Sequence, residues 1–284
     1  MPTIPHRLLW IGPAASADLR LARQWTGQLG EVHERRTAAE AVEDVPQIFA
    51  ERSPAVILLA SPTPDHWSLE AAVSVSRRWP LAPLVSVAGG LVDGRRRSGP
   101  PLPGVEEVPW HDLPGRLAWW LRDRDAGRAG SLGLPATARR EERAAAAGEA
   151  AFGADGGLPA VSAAAKRAVD LEGLCDLLAM IGCPAIRQRQ GRPPLDEPAG
   201  LLVWDVGNLS DDDLAWLEMM AANRPALRII VLESFPRPDT TQAALRKGAA
   251  AVLGRPASAE ALAGTIHRLA DQGVDGLSPV TAGR

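Results

Sequence analysis

Residues 227–256 read LRIIVLESFPRPDTTQAALRKGAAAVLGRP, and this stretch decides the fold class. An apolar run at residues 228–232 is followed by a helix-forming segment at 240–247 and by a second apolar run at 250–253. Short continuous apolar runs are typical of strands that are buried on both faces of a parallel sheet. The stretch therefore predicts two parallel strands connected by a helix.

The same alternation of strands and helices extends through both halves of the 284-residue chain. In the first half we expect strands near residues 7–11, 32–35, 55–60, 84–88 and 106–108. In the second half we expect them near residues 160–164, 185–188, 201–204, 228–232 and 250–253. The pattern predicts five βα units in each half, from duplication of one domain type or from two unrelated α/β domains.

The segment 126–157 separates the two halves. It is rich in Ala and Gly, and it has few large apolar side chains that could offset the entropy lost on ordering. We predict a domain at 1–125, a flexible linker at 126–157, a second domain at 158–272 and a flexible tail at 273–284.

The bulk composition limits the possible partners and the compartment. The net charge is −3 and no segment is strongly basic, so we expect no nucleic-acid partner. No apolar run is long enough to span a bilayer, so we expect no membrane partner. Cys175 and Cys183 have no metal-ligand spacing and are expected to be reduced, as in a bacterial cytoplasm.

Three motifs in the second half carry a family resemblance. The apolar strand at 201–204 leads into Asp205, a helix ends in Lys247-Gly248-Ala249, and the last strand ends in Gly254-Arg255-Pro256. Residues 158–270 thus resemble a response-regulator receiver (CheY-like) domain of two-component phosphorelays. The resemblance implies an α/β fold with two flavodoxin-like, doubly wound parallel sheets. The first half resembles a receiver only in the order of its elements.

The resemblance also assigns roles to individual positions. Receivers need a phosphoacceptor carboxylate, an acidic pair after the first strand that holds Mg²⁺, a hydroxyl after the fourth strand and a lysine after the fifth. These positions fall on Asp205, on Ala165-Lys166-Arg167, on Glu233 or Ser234, and on Arg255. The acidic pair is replaced by cations and the lysine by arginine, so the second half resembles a degenerate receiver, or pseudo-receiver.

The first half departs from the receiver pattern completely. Ala60 stands at the phosphoacceptor position, Pro13-Ala14 at the acidic pair, and Pro109-Trp110 after the last strand. None of these side chains can accept a phosphoryl group or bind a metal. We expect no phosphoryl transfer in this half.

Two further patterns have a structural interpretation and a functional one. Trp110, Trp119 and Trp120 form an aromatic helix face, which is expected to belong to the core but would also suit a protein interface. Ser210 followed by Asp211-Asp212-Asp213 indicates a capped helix start more than a metal cluster.

We expect a non-catalytic signalling or regulatory protein, not an enzyme, that acts through contacts with a protein partner. In that case Asp205 pairs with Arg255 or Lys166 and no cofactor is needed. One alternative is a working receiver, in which Asp205 is phosphorylated with Mg²⁺. Another is a flavodoxin-like module that binds a small molecule.

Overall fold

The computed structural model describes residues 5–49, 52–92, 102–128 and 158–271, with scattered positions between 130 and 146. The chain forms two compact units, Met1–Ala146 and Ala147–Arg284. Their border falls inside the segment 126–157. Most of that segment and all of the tail 273–284 lie outside the described residues, so the predicted limits of the linker and the tail stay predictions.

The first unit contains a five-stranded parallel sheet with the strand order β2-β1-β3-β4-β5. Its strands are β1 (Arg7–Ile11), β2 (Glu31–Arg35), β3 (Val56–Ser61), β4 (Leu84–Ala88) and β5 (Glu106–Pro109). Its helices are α1 (Ala17–Thr26), α2 (Ala38–Glu43), α3 (Leu69–Arg78) and α4 (Leu113–Asp125), with short 3-10 turns at Gln47–Phe49 and Gly90–Val92.

The second unit contains another five-stranded parallel sheet, with the order β10-β9-β8-β6-β7. Its strands are β6 (Val161–Ala165), β7 (Ala185–Gln190), β8 (Leu201–Gly207), β9 (Arg228–Glu233) and β10 (Ala249–Gly254). Its helices are α5 (Ala168–Met180), α6 (Asp211–Asn223), α7 (Pro238–Arg246) and α8 (Ala259–Asp271).

Counted within each unit, both sheets have the order 2-1-3-4-5, which is the order in flavodoxin and CheY. The predicted fold class, an α/β fold with two flavodoxin-like, doubly wound parallel sheets, is confirmed. None of the helices in the described parts of the chain is long and apolar enough to cross a membrane.

The central strands form the cores that hold each unit together. Every residue of β3 is buried, and so is every residue of β8 except its last, Gly207. Trp204, on β8, is fully buried and packs in a cluster with residues of β9, α6 and α7. Each large apolar side chain buried in this way contributes about 1.5–3 kcal/mol to stability, so these strands position whatever follows them.

A local sequence signal explains where α6 begins. The Ser210 side chain accepts a hydrogen bond from the backbone N–H of Asp213, and the Asp213 carboxylate accepts one from the backbone of Ser210. This reciprocal pair is a capping box. The structure therefore supports the helix-start interpretation of this acidic run, and no group of metal-ligating side chains occurs among the described residues.

The aromatic helix face and the cysteines are part of the interior. Trp110, Trp119 and Trp120 are buried, as the core interpretation predicts. Both cysteines are free, with Cys183 buried and Cys175 half-buried. Burial raises the pKa of the Cys183 thiol to about 12, so this group stays protonated at neutral pH.

The second unit differs from the prediction of five βα units. No helix follows β7, and Gly191–Gly200 instead runs as a loop of turns that contains Pro193, Pro194 and Pro198. Proline removes backbone donors and restricts the preceding residue to extended conformations, which prevents a helix here. Likewise α2 is short and ends at Glu43, just ahead of Pro46.

This loop is bound to the helix that lies beside it. The indole Nε1 of Trp216 donates to the carbonyl of Pro193 at 2.9 Å, and the Asn223 amide donates to that of Leu195 at 2.8 Å. The Ser162 hydroxyl on β6 donates to the buried Glu197 carboxylate at 2.8 Å. The loop thus covers the face of β6 on the α6 side of the sheet.

Candidate functional site

The candidate site lies at the carboxyl ends of β6 and β8, which are neighbours in the second sheet. The chain leaves β6 toward one edge of the sheet and leaves β8 toward the other, so this is the topological switch point. Open α/β sheets bind their ligands there. Asp205 is in β8, paired with Ala165 at the end of β6, and the register shifts just after it, between Asp205 and Gly207.

Asp205 is buried, with 4% of its surface exposed, and both of its carboxylate oxygens have partners. Oδ2 lies 3.1 Å from Nε of Arg255, and Oδ1 accepts a hydrogen bond from the backbone N–H of Gly207 at 3.0 Å. Burial raises the pKa of the Asp205 carboxyl, although Arg255 and the Gly207 N–H oppose the rise. Both oxygens of the Asp205 carboxylate are therefore engaged within the protein.

Arg255 joins Asp205 to a second carboxylate. Its Nη2 lies 2.9 Å from Oδ1 of Asp170, while its Nε contacts Asp205. The backbone N–H of Arg255 donates to the carbonyl of Glu233 at 3.0 Å, which fixes the start of the side chain at the end of the sheet. One guanidinium therefore lies between two carboxylates.

Asp170 is the site residue that the sequence analysis missed. It lies in the first turn of α5 and forms a bidentate pair with Arg167, with both N···O distances at 2.7 Å. The hydrogen bond from Arg167 lowers the pKa of the Asp170 carboxyl; burial opposes this and Arg255 adds to it. The expected acidic positions were those directly after the strand. Arg167 at the helix cap with Asp170 three residues later was the sequence signal for this ion pair.

Lys166 does not contact the Asp205 carboxylate. Its ammonium lies 2.7 Å from Oδ2 of Asp213 and donates to the carbonyl of Asn208 at 3.1 Å. Burial alone would raise the pKa of Asp213, but hydrogen bonds from Lys166 and Ser210 lower it. Of the two expected partners for Asp205, the structure places Arg255 there and gives Lys166 a separate role at the start of α6.

Glu233 and Ser234 lie at the end of β9, next to the strand that carries Asp205. Glu233 is buried, pairs in register with Gly207 and Gly254, and accepts a hydrogen bond from the Thr240 hydroxyl at 3.2 Å. Ser234 follows it, and its backbone N–H donates to the carbonyl of Gly207 at 2.6 Å. The last residue of the strand is thus a second buried carboxylate, and Ser234 lies just beyond the strand.

The described side chains do not fit the Mg²⁺ that the receiver resemblance implies. Mg²⁺ needs oxygen ligands in near-octahedral geometry. Lys166 and Arg167 lie where the acidic pair would be, and Arg255 already contacts both Asp170 and Asp205. A guanidinium occupies the electrostatic position that a metal would need.

The corresponding edge of the first unit is closed by a different carboxylate. Ala60 is fully buried, as expected for a position without chemistry. Asp18, in the first turn of α1, accepts hydrogen bonds from the backbone N–H groups of Leu19 at 2.8 Å and Gly90 at 2.6 Å. Both of its oxygens therefore hold backbone, and the described residues here offer no phosphoacceptor.

Comparisons with known proteins add little beyond the fold. No protein-family model matches the chain, and no curated protein sequence matches it significantly. Similar solved structures include a protein from Burkholderia thailandensis described as a pilus assembly protein (cpaE), with 25% identity, TM-score 0.37, and coverage of 40% of this chain and 99% of that one.

Two other similar structures contain receiver-type domains. A CheY-like protein (tadZ) from Pseudomonas aeruginosa has 24% identity and TM-score 0.32, covering 39% of this chain and 98% of that one. The C-terminal part of RcsC from E. coli, with a linker region and a phosphoreceiver domain, has 15% identity and TM-score 0.36, covering 95% and 94%. All three TM-scores are below 0.5, so the strand order of the sheets carries the fold assignment.

We predict that Arg255→Met lowers the free energy of unfolding by about 1–3 kcal/mol, because it leaves two neighbouring carboxylates without their shared cation. Adding Asp205→Asn should restore part of this loss by removing one of the two charges. Urea unfolding followed by tryptophan fluorescence measures both. Lys247→Met, which removes an exposed ion pair with Glu218, is the control and should change little. An Arg255→Met variant as stable as the wild type would contradict the bridging role.

We also predict that the stabilising contribution of Asp170 disappears on acidification. Its pKa is lowered in the folded protein, so the contribution is complete above the ordinary value near pH ~4 and is lost as the pH falls through the folded value. The difference in melting temperature between the wild type and Asp170→Asn should shrink over that range. Asp176→Asn, exposed on the same helix, should show no such trend. A difference that grows at low pH would refute the prediction.

Proposed function

We propose that this chain is a non-catalytic regulatory protein of the receiver type, which acts in signalling through contacts with other proteins. The observation that carries the proposal is the position of Arg255 between Asp170 and Asp205. In a working receiver the corresponding carboxylate must attack a phosphoryl group with the help of a metal ion. Here the guanidinium of Arg255 pairs with the carboxylate and supplies the positive charge that a metal ion would supply.

Electrostatics around Asp205 also disfavours phosphorylation. A phosphoaspartate would carry about two negative charges where the carboxylate carries one, near Asp170 and the buried Glu233. The attacking oxygen would first have to leave either Arg255 or the Gly207 N–H, both at hydrogen-bond distance. The cations beside Asp205, Arg255 and Arg167, are both already paired with Asp170.

The contacts of Arg255 favour a surface with a fixed conformation at this edge of the sheet. Arg255 follows β10, Asp205 is in β8, and Asp170 begins α5, so one side chain connects three segments at the same edge. We infer that these contacts hold the edge in one arrangement. A partner would then recognise the edge without a phosphorylation signal.

An exposed aromatic side chain at this edge supports action through protein contacts. Phe235, two residues beyond Glu233, is 78% exposed and has a φ of 54°, a left-handed conformation that is costly for an aromatic residue. Exposed aromatic residues are frequent anchors of protein interfaces. Its position places a candidate anchor beside the fixed network.

We predict that the full-length protein incorporates no phosphate from radiolabelled acetyl phosphate in the presence of Mg²⁺. The reason is that both Asp205 oxygens already have partners and that no group of metal-ligating side chains occurs in the described part of the chain. Labelling is measured by gel autoradiography, with an authentic receiver domain as the positive control and Asp205→Asn as the matched variant. Labelling of the wild type that Asp205→Asn abolishes would show a working phosphoacceptor and overturn the proposal.

A further inference from the structure

The edge strand β7 is the most open strand in the second sheet. It pairs only with β6, so one side of its backbone has no strand partner among the described residues. Five of its six residues, Ile186 to Gln190, are exposed. Such an edge can accept a further strand through main-chain hydrogen bonds.

The missing helix leaves one face of this strand without a helix packed against it, while α5 packs on the other face. Arg187 and Arg189 pair in register with Ser162 and Ala164 of β6, and paired residues of parallel strands project to the same face. Ser162 contacts Glu197 in the loop after β7, so the two arginines lie on the loop face. Gln188 and Gln190 alternate with them on the α5 face, and Ile186, which lies at a register shift just before Arg187, is 53% exposed.

The corresponding edge strand of the first unit, β2, differs because its charged side chains are paired. On β2, Glu31 contacts His33 at 3.2 Å, Glu34 contacts Arg23 at 2.9 Å, and Arg35 contacts Asp44 at 3.2 Å. Every charge of β2 is therefore matched by an opposite charge, or a histidine, of the same unit. This edge has no charge left for a partner.

The arginines of β7 are not matched in this way. Neither Arg187 nor Arg189 lies within ion-pair distance of a carboxylate among the described residues, and the guanidinium of Arg189 donates instead to the carbonyl of Arg192 at 2.9 Å. Two uncompensated cations, two residues apart on one face of an open strand, form a charge pattern with period two. An added strand could match that pattern.

We propose that the β7 edge binds an extended acidic segment of a partner protein by strand addition. The segment that fits alternates acidic residues, which face Arg187 and Arg189, with β-branched apolar residues on its other face. The inference rests on the proposed action through protein contacts, but it is independent of the chemistry at Asp205.

A second copy of this chain is a poor occupant of the same edge. Antiparallel pairing of two β7 strands would bring the arginines of one strand close to those of the other, and like charges across a strand pair are destabilising. The arginines would then act only as a guard against edge-to-edge association, which is a common use of charged edge residues. An acidic partner converts the same charges into attraction.

The test is binding of a fluorescein-labelled heptapeptide, Glu-Val-Glu-Val-Glu-Val-Glu, to the full-length protein, measured by fluorescence anisotropy. We expect saturable binding that the double variant Arg187→Glu/Arg189→Glu weakens about tenfold or more. Arg246→Glu is the matched control, because Arg246 is an exposed arginine on α7, which packs against the opposite edge strand, β10. It should leave the affinity unchanged.

A second readout separates strand addition from simple charge attraction. Binding should slow amide hydrogen exchange within residues 185–190, and a Glu-Pro-Glu-Pro-Glu-Pro-Glu peptide, which lacks half the main-chain donors, should bind much more weakly. Equal binding of the two peptides would overturn the proposal. So would equal affinity of the Arg187→Glu/Arg189→Glu variant and the Arg246→Glu control. So would self-association through β7 without peptide binding. These failures would leave the phosphate-labelling test of the proposed function unaffected.

Discussion

The guanidinium of Arg255 holds the carboxyl-terminal edge of the second sheet together. It contacts a buried carboxylate, Asp205, whose pKa is raised by burial, and an outer carboxylate, Asp170, whose pKa is lowered mainly by Arg167. Burial disfavours the charged form of Asp205, and the attraction of Arg255 offsets part of that cost. The loops after β8 and β10 and the start of α5 all depend on this pair of contacts.

Both units use an acid from the same element to fix this edge. Asp18 and Asp170 each lie in the first turn of the helix that follows the first strand of the unit. Asp18 holds the backbone of Gly90 beyond the fourth strand, whereas Asp170 holds Arg255 beyond the fifth. In each unit an internal bond occupies the edge where a doubly wound sheet would bind a ligand. This common arrangement is consistent with a regulatory role that needs a fixed surface.

The fold could be predicted from the sequence because buried parallel strands are written as short apolar runs, such as the one at β3. The pairing of Asp205 with Arg255 was one of two expected arrangements, since both lie at strand ends that meet at one edge. Asp170 could not be placed from strand ends, because a turn of helix carries it back over the sheet. The predicted count of five βα units was wrong for the second unit, because a loop with three prolines follows β7. The edge of β7 is open because β7 is the last strand of its sheet.

The central claim is that Arg255 takes the electrostatic place of a metal ion, and the most direct measurement is the effect of Mg²⁺ on thermal stability. The account predicts that millimolar Mg²⁺ does not shift the melting temperature of the wild type, because Asp170 and Asp205 are already neutralised. In Arg255→Met the two freed carboxylates should gain a measurable Mg²⁺-dependent stabilisation. A rise in the melting temperature of the wild type with Mg²⁺ that Asp205→Asn abolishes would contradict the account.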